Sequence, residues 1–303
     1  MIDLKYLFKR CSSGWVKFDA YEIKKASDGH EYVCSVPGAH PHLYDPLDDY
    51  ETLVLDAVNV GLLSMGRKSP EVIRDGIMEF VGKYGLLGIM NSLPAMPGYL
   101  GYEYVYLPYN PLINRESMGT MEYMNFFYPF QKLKFSKNGK EFVWIVDCDN
   151  EMMAVTLATG FGDEPGLVFQ REYAERIDWI ESVFKNLAYC LVNSYLYYFD
   201  YDKLSPEARE AYRDAMRAYD AVMPTYHLEL RDKVTLTWKF NSLLLEIQMM
   251  FYLMLSDDTN PLQFCGYCHK AYIMRDGNEE YCSPECAGLD AINQEMRKQK
   301  SDQ

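Results

Sequence analysis

The sequence predicts a mixed α+β protein that is mostly α, and three observations support this class. Apolar residues recur at helical spacing through most of the second half, strand-like alternation is found in the first half, and four cysteines near the C-terminus have the spacing of a metal site. We therefore divide the 303 residues into an α+β N-terminal domain over 1–165, a helical bundle over 166–260, and a zinc-finger module with a C-terminal helix over 261–303.

The first 49 residues predict a hairpin followed by a loop. Residues 15–21 roughly alternate between apolar and polar side chains, and Ser27-Asp28-Gly29 has the composition of a turn. Residues 31–36 would then be the returning strand. The segment 37–49 is rich in Pro, His and Asp, which predicts a polar loop.

Two amphipathic helices are expected next. Apolar residues recur every three or four positions over 50–64, and Gly66 is placed to end this helix. The trio Ser69-Pro70-Glu71 supplies an N-cap, a proline suited to the first helical position and an acidic residue for the first turn. The second helix should end before Gly85.

The rest of the N-terminal domain carries turn signals. Residues 88–118 contain four prolines and several glycines, which predict a long ordered loop or a lid. Asn138-Gly139 predicts a tight hairpin turn between strands over 131–135 and 142–147. The glycines between 160 and 166 mark the main domain boundary.

Residues 166–260 predict a helical bundle. One apolar stripe runs from Tyr173 to Tyr198, and Ser205-Pro206-Glu207 begins a second helix that ends by Pro224, with an apolar face turned inward. A third helix is expected from Leu236 to Leu255. Because it is apolar nearly all round, it should lie at the centre of the bundle.

The charge of the chain disfavours one class of function. Its formal net charge is −14, and residues 265–303 hold five basic against seven acidic residues. Proteins that bind nucleic acid through phosphate contacts need a basic face. No run reaches the roughly 18 apolar residues that a membrane-spanning helix requires, so no membrane association is expected.

The most specific motif consists of two cysteine pairs with C-x2-C and C-x3-C spacing, Cys265, Cys268, Cys282 and Cys286. This pattern fits a tetrahedral four-thiolate zinc site, and the filled shell makes one structural Zn²⁺ per chain the expectation over a catalytic ion. Ser283-Pro284-Glu285 predicts that the second pair lies at a helix N-terminus. With a hairpin across 276–278, the module would be a treble clef.

The module resembles the C-terminal half of the CGNR zinc-finger proteins, a bacterial group of presumed transcriptional regulators. The resemblance rests on the apolar helix 243–255, the cysteine pairs with Tyr272, and the Tyr281-Cys282-Ser283 segment. Residues 79–88 also resemble a sequence segment in the N-terminal part of such proteins. It implies an α-rich regulator. The family's Gly-Asn-Arg tail is absent, because Ala287-Gly288-Leu289-Asp290 follows the last cysteine, and this weakens the implied DNA binding.

Two other groups of residues have side chains suited to chemistry. His40 and His42 lie near Asp45, and together they could hold a metal or transfer protons, although a polar surface loop is the alternative. Cys148 lies between Asp147 and Asp149, whose negative charges would make the thiol less reactive. The sequence also has no phosphate-binding loop, dinucleotide fingerprint, nucleophile elbow or metalloprotease motif. An enzyme is therefore not expected.

These observations together predict a non-enzymatic, zinc-containing regulatory or adaptor protein that binds a macromolecule. The favoured partner is an unidentified protein. Clustered cysteines in a long chain with no signal peptide indicate a cytoplasmic protein with reduced thiols. The alternatives are a nucleic-acid-binding transcriptional regulator and an acidic inhibitor that mimics nucleic acid.

Overall fold

The computed structural model describes residues 14–92, 104–107, 112–130, 134–137, 140–143, 173–217, 219, 225–230, 234–240, 242–275 and 280–301. The helices are α1 (Tyr50–Met65), α2 (Pro70–Tyr84), α3 (Ile89–Ser92), α4 (Thr120–Asn125), α5 (Ile177–Phe199), α6 (Pro206–Arg217), α7 (Leu243–Leu255) and α8 (Pro284–Ser301). The strands are β1 (Trp15–Phe18), β2 (Tyr21–Lys25), β3 (Glu31–Ser35), β4 (Pro41–Tyr44), β5 (Tyr104–Tyr106), β6 (Ser117–Gly119), β7 (Lys134–Lys137), β8 (Lys140–Val143), β9 (Ala174–Arg176), β10 (Thr225–Leu230), β11 (Val234–Lys239), β12 (Leu262–Phe264) and β13 (Ala271–Ile273).

Helices dominate the described residues, and the strands form small antiparallel sheets. The order in the three-stranded sheet is β2-β3-β9, and the two-stranded pairs are β1-β4, β5-β6, β7-β8, β10-β11 and β12-β13. This confirms the predicted α+β class with mostly α structure. Among the described residues, no helix combines the length and the apolarity needed to cross a membrane.

The packing of α1 against α5 forms the centre of the core. At Gly61 the two backbones come so close that a Cβ would lie 2.0 Å from the carbonyl oxygen of Phe184, so only glycine fits there. Phe80 of α2 packs edge-on against Phe184, with ring centroids 4.7 Å apart. The larger hydrophobic cluster also includes Leu262 of β12, so it draws residues from all three predicted units. The predicted boundary at 160–166 lies outside the described residues.

The first two helices end at the glycines that the sequence predicted, whereas Ser69 precedes α2 without forming a side-chain capping hydrogen bond. Helix α1 covers Tyr50–Met65 and ends at Gly66, whose N–H donates to the Leu62 carbonyl at 2.9 Å. Helix α2 begins at Pro70 and ends at Tyr84, and the Gly85 N–H donates to the carbonyl of Val81 at 2.8 Å. Gly85 has φ +87°, which favours glycine at this helix end.

The single strand predicted over residues 15–21 is wrong, and so is its pairing. Trp15–Phe18 and Tyr21–Lys25 are separate strands, because the chain changes partner at Asp19, whose N–H donates to the carbonyl of His40. β1 pairs with β4, which lies inside the segment predicted as a loop over 37–49, whereas β2 pairs with β3. β3 also pairs with β9, so α5 begins at Ile177 and not at Tyr173.

In the second half, the central helix begins later than predicted. Residues 236–239, predicted as the start of the central helix, belong to strand β11, which pairs with β10, because Val234, Leu236 and Trp238 alternate there with Thr and Lys. Helix α7 begins only after Ser242, whose Oγ accepts from the N–H of Leu245 at 3.2 Å. Helix α6 has no fully buried residue, but its predicted inward face is half-buried at Ala208, Tyr212 and Ala215, and only Ala211 of that face within the helix is exposed. The chain places this helix at the surface, with Glu210 paired to Arg213 and Arg217.

The structure describes only parts of two further segments of the predicted N-terminal domain. β7 and β8 pair antiparallel, as expected for a hairpin, but residues 138–139 lie outside the described residues. Within 88–118, the described parts include α3, β5 and the start of β6.

A buried turn after α2 is held by Glu175 of β9. The carboxylate accepts from the N–H groups of Leu87 at 2.8 Å and Ile89 at 2.7 Å, and from the hydroxyl of Tyr173 at 2.5 Å. Burial raises the pKa of Glu175 although these donors act in the opposite direction. Gly88 lies at φ +70°, and a Cβ there would come within 2.8 Å of Ser242 and 2.9 Å of Trp15. The turn thus joins β9, β1 and the start of α7.

We expect Gly88→Ala to lower the free energy of unfolding by about 2 kcal/mol or more, because it adds a strained φ to a steric overlap. Gly82→Ala is the matched control: Gly82 is exposed in α2, and a Cβ added there would meet no atom within 4 Å. This control should raise stability by about 0.5–1 kcal/mol. Urea unfolding of the two variants measures both changes, and equal effects would contradict the described turn.

Candidate metal centre

Four cysteine side chains meet at one point between β12, β13 and α8. The Sγ atoms of Cys265, Cys268, Cys282 and Cys286 all lie within 4.8 Å of one another. The Sγ of Cys282 is 3.6 Å from that of Cys268 and 3.6 Å from that of Cys286. The structure therefore brings together all four predicted ligands.

The first pair is positioned by a tight turn between two strands. The His269 N–H donates to the carbonyl of Cys265 at 3.0 Å, and the Cys265 N–H donates to the carbonyl of Lys270 at 2.9 Å. His269 has φ +59°, which lets the chain reverse directly after Cys268. The observed hairpin is β12-β13, which flanks the cysteine turn, whereas the hairpin predicted across 276–278 lies outside the described residues.

The second pair lies at the start of α8, as the capping residues predicted. The Ser283 Oγ accepts from the N–H of Cys286 at 3.3 Å, and Pro284 occupies the first helical position. This cap fixes the first turn of α8, so Cys282 and Cys286 face the first pair. Tyr281 then donates to Asp290 at 2.7 Å, which ties the entry of the helix to its second turn.

The thiols differ in their local electrostatics. Burial raises the pKa of Cys265, but the backbone N–H groups of Cys268, Cys282 and Tyr267 outweigh it and lower the pKa to about 6. At Cys282, burial and the neighbouring thiols both raise the pKa. A cluster of this kind cannot hold four thiolates without a cation, because each added negative charge opposes the next.

The spacing fits a metal ion bound by four thiolates. With metal–sulfur bonds of about 2.3 Å, the sulfurs of a tetrahedral site are ~3.8 Å apart. The 3.6 Å separations agree with this edge length. An ion at this position would be bound entirely by protein sulfur, so there is no open ligand position for a substrate or for water.

The module is docked on the core through Asn59 of α1. Its Nδ2 donates to the carbonyl of Ala271 at 3.3 Å, and its Oδ1 accepts from the N–H of the same residue at 2.8 Å. Phe264 packs edge-on against Tyr195 of α5, with centroids 5.0 Å apart. Arg275 adds an ion pair with Glu51 at 2.6 Å, which is too exposed to contribute much. These contacts fix the metal centre relative to α1 and α5.

The other candidate residues do not assemble into a site. His42 of β4 pairs with Asp19, and this hydrogen bond lowers the pKa of Asp19. Asp45 instead accepts from the Leu47 N–H at 3.0 Å and caps a short 3-10 turn over Pro46–Asp49. His40 is exposed. Within the described residues, the four cysteines form the one group that could hold a metal ion.

The scattered cysteines are divided between buried and undescribed positions. Burial raises the pKa of Cys34, and it raises the pKa of Cys190 to about 12, so both thiols are unreactive. Cys11 and Cys148 lie outside the described residues.

Sequence reasoning missed Asn59, whose only signal was a polar side chain within an otherwise apolar stretch of α1.

Comparisons of the chain with protein-family models, with curated proteins and with solved structures found no match. The resemblance to the CGNR group therefore stays a prediction.

Removal of the metal should loosen the module, because an ion held by both cysteine pairs would link β12-β13 to the start of α8 and contribute to the free energy of folding. We expect a chelator, or Cys282→Ser, to raise hydrogen exchange over 262–273 and at the start of α8. Cys34→Ser is the control, since this thiol lies in the N-terminal sheet, away from the cluster. Unchanged exchange after chelation would contradict a metal-dependent fold.

Asn59→Ala tests the docking separately from the metal. It leaves the N–H and the carbonyl of Ala271 without their partner, so we expect a loss of about 1–3 kcal/mol in the free energy of unfolding. The metal content should not change, because Asn59 does not contact the cysteines. Loss of metal in this variant would mean that docking and metal binding are one event.

Proposed function

We propose that the protein is a non-enzymatic, zinc-containing regulatory or adaptor protein that binds another protein through its C-terminal helix. The observation that carries this proposal is the exposed apolar stripe on α8, the helix that the cysteine cluster fixes at its first turn. The cluster supplies rigidity, and the stripe supplies the contact surface.

Zinc is the ion that this ligand set favours. Four thiolates in a tetrahedral arrangement are typical of structural Zn²⁺ sites, and soft sulfur ligands disfavour Mg²⁺ and Ca²⁺. The absence of an open ligand position supports a structural role over a catalytic one. Thiolates persist in a reducing compartment, so the proposal places the protein in the cytoplasm.

The stripe consists of Leu289, Ile292 and Met296, which are 47%, 54% and 49% exposed. Their spacing of three and four residues puts them on one face of the helix. Scattered exposed apolar residues are ordinary, but three in register on one helix form a surface of the kind that helix-in-groove recognition uses. We therefore place the partner contact on this face.

Charge favours a protein partner over nucleic acid. Residues 284–301 contain three acidic and three basic residues, so α8 has no net positive charge, and the whole chain carries −14. A helix that binds phosphates needs an excess of Lys and Arg. Binding to nucleic acid at low salt, weakening steeply as salt rises, would support the transcriptional-regulator alternative instead.

The proposal predicts that capture of one partner depends on the stripe. The double variant Leu289→Glu/Ile292→Glu should lose that partner from pull-downs of the native host extract, because charge on the face prevents its burial. The interaction is then rebuilt from the purified partner and measured by calorimetry, where we expect at least a tenfold loss of affinity. Light scattering of the free protein shows whether the partner is a second copy of this chain.

Val72→Glu is the matched control, since Val72 is an exposed apolar residue on α2, 43% exposed and outside the module. It should retain the partner. If the stripe variant and this control capture the same proteins with the same affinity, the helix face is not the contact surface and the proposal is wrong.

A further inference from the structure

The four cysteines of the metal centre differ in their access to solvent. Cys265 is 0% exposed, Cys268 and Cys286 are half-buried, and Cys282 is exposed. Among the cysteines that the structure describes, Cys282 is the one exposed residue. A solute therefore reaches the cluster most directly at Cys282.

This exposed cysteine has two sulfur neighbours at contact distance. The Sγ of Cys282 lies 3.6 Å from the Sγ of Cys268 and 3.6 Å from the Sγ of Cys286. A disulfide bond is about 2.0 Å long, so either contact becomes a bond when the two sulfurs approach by ~1.6 Å, a shift that side-chain rotation can supply. Both neighbours are thus placed to form a disulfide with Cys282.

This combination of exposure and a neighbouring thiol is typical of redox-sensing cysteines. The thiolate is the form of cysteine that reacts with oxidants, and a bound cation keeps a coordinating thiol deprotonated. A second cysteine in contact traps the first oxidation product as a disulfide. Cys34 and Cys190 contrast with this arrangement, because both are buried and lie outside the cluster.

We propose that Cys282 is the peroxide-reactive thiol of a redox switch that controls the metal content of the module. Its thiolate attacks hydrogen peroxide, so that an S–O bond forms, the O–O bond breaks, and hydroxide leaves with the electron pair. The product is a sulfenic acid on Cys282. The thiolate of Cys268 or Cys286 then attacks this sulfur, expels a second hydroxide and forms the disulfide. Two sulfurs together lose two electrons, and the peroxide gains them.

Either disulfide removes half of the ligand shell. A structural zinc site uses four ligands, so Cys265 and the one remaining thiolate no longer hold the ion. A thiol reductant reverses the reaction by thiol–disulfide exchange, as expected for the transient disulfides of a reducing compartment. This inference rests on the zinc site of the proposed function, and it adds that zinc binding follows the supply of peroxide.

The charge around Cys282 favours a small neutral oxidant. Glu280 and Glu285 are exposed and lie within three residues of Cys282 in the chain, and the whole protein carries −14. These charges oppose the approach of an anionic disulfide such as oxidised glutathione. Hydrogen peroxide is uncharged, so its approach carries no such penalty.

The test uses zinc-loaded full-length protein that was purified under reducing conditions and then freed of the reductant. Hydrogen peroxide is added beside a chromogenic zinc chelator, and mass spectrometry of unreduced peptides locates the disulfide. We expect release of the zinc, a disulfide that joins Cys282 to Cys268 or Cys286, and recovery of zinc binding after reduction. Oxidised glutathione at the same concentration should release zinc at least roughly tenfold more slowly.

Two histidine variants separate the exposed thiol from the rest of the cluster. Cys282→His retains a zinc ligand, since three cysteines and one histidine also form structural zinc sites, but it removes the exposed thiolate. Zinc release by peroxide should be roughly tenfold slower than in the parent protein, or slower still. Cys268→His is the matched control, because it leaves Cys282 beside Cys286, and it should release zinc at a rate close to that of the parent. The zinc content of both variants is measured first.

The outcomes separate the switch from the metal site on which it rests. Protein that purifies without zinc contradicts the proposed function before any peroxide is added. Zinc that stays bound while peroxide oxidises free cysteine in the same solution overturns the switch alone. A disulfide that omits Cys282, or equal release from the two histidine variants, also overturns it, and the peptide map of the parent protein decides even if Cys282→His fails to hold zinc. Equally fast release by oxidised glutathione overturns the assignment of peroxide as the oxidant.

Discussion

The arrangement of residues 262–301 depends on four thiols held within contact distance of one another. Sulfur atoms 3.6 Å apart gain little from each other as thiols and repel as thiolates, so their convergence is stable only around a cation. The turn at His269 and the Ser283 cap orient the two pairs. An ion bound by the four sulfurs would make β12, β13 and the first turn of α8 one unit, from which the rest of α8 extends.

Buried or half-buried polar side chains join parts of the chain that are far apart in sequence, and one of them couples this unit to the core. Asn59 satisfies both backbone groups of Ala271, 212 residues away. Glu175 acts in the same way on the turn after α2, where it binds two N–H groups that helix and sheet leave unpaired. Glu246 contrasts with both, since it is equally buried but has no donor among the described residues. The buried polar groups are therefore satisfied at two of these three positions.

The sequence predicted what local chemistry determines. The ends of α1 and α2, the start of α8 and the four ligands follow from capping residues and cysteine spacing. Pairing between strands that are distant in sequence was not accessible, because β1 pairs with β4 and β3 with β9 through backbone groups that no side-chain pattern encodes. The run before α7 was ambiguous, since a short apolar run fits a strand or a helix equally well. Asn59, Glu175 and Glu246 were missed because periodicity shows which face is buried but not which polar group meets it.

The central claim is that the four cysteines bind a single zinc ion as a closed structural site. X-ray absorption at the zinc edge, on purified protein of known metal content, tests it most directly. The account predicts one zinc per chain, with a shell of four sulfur atoms at about 2.3 Å. A shell that includes nitrogen or oxygen would contradict the closed site, and protein that folds without stoichiometric metal would contradict the role of the ion in organising the module.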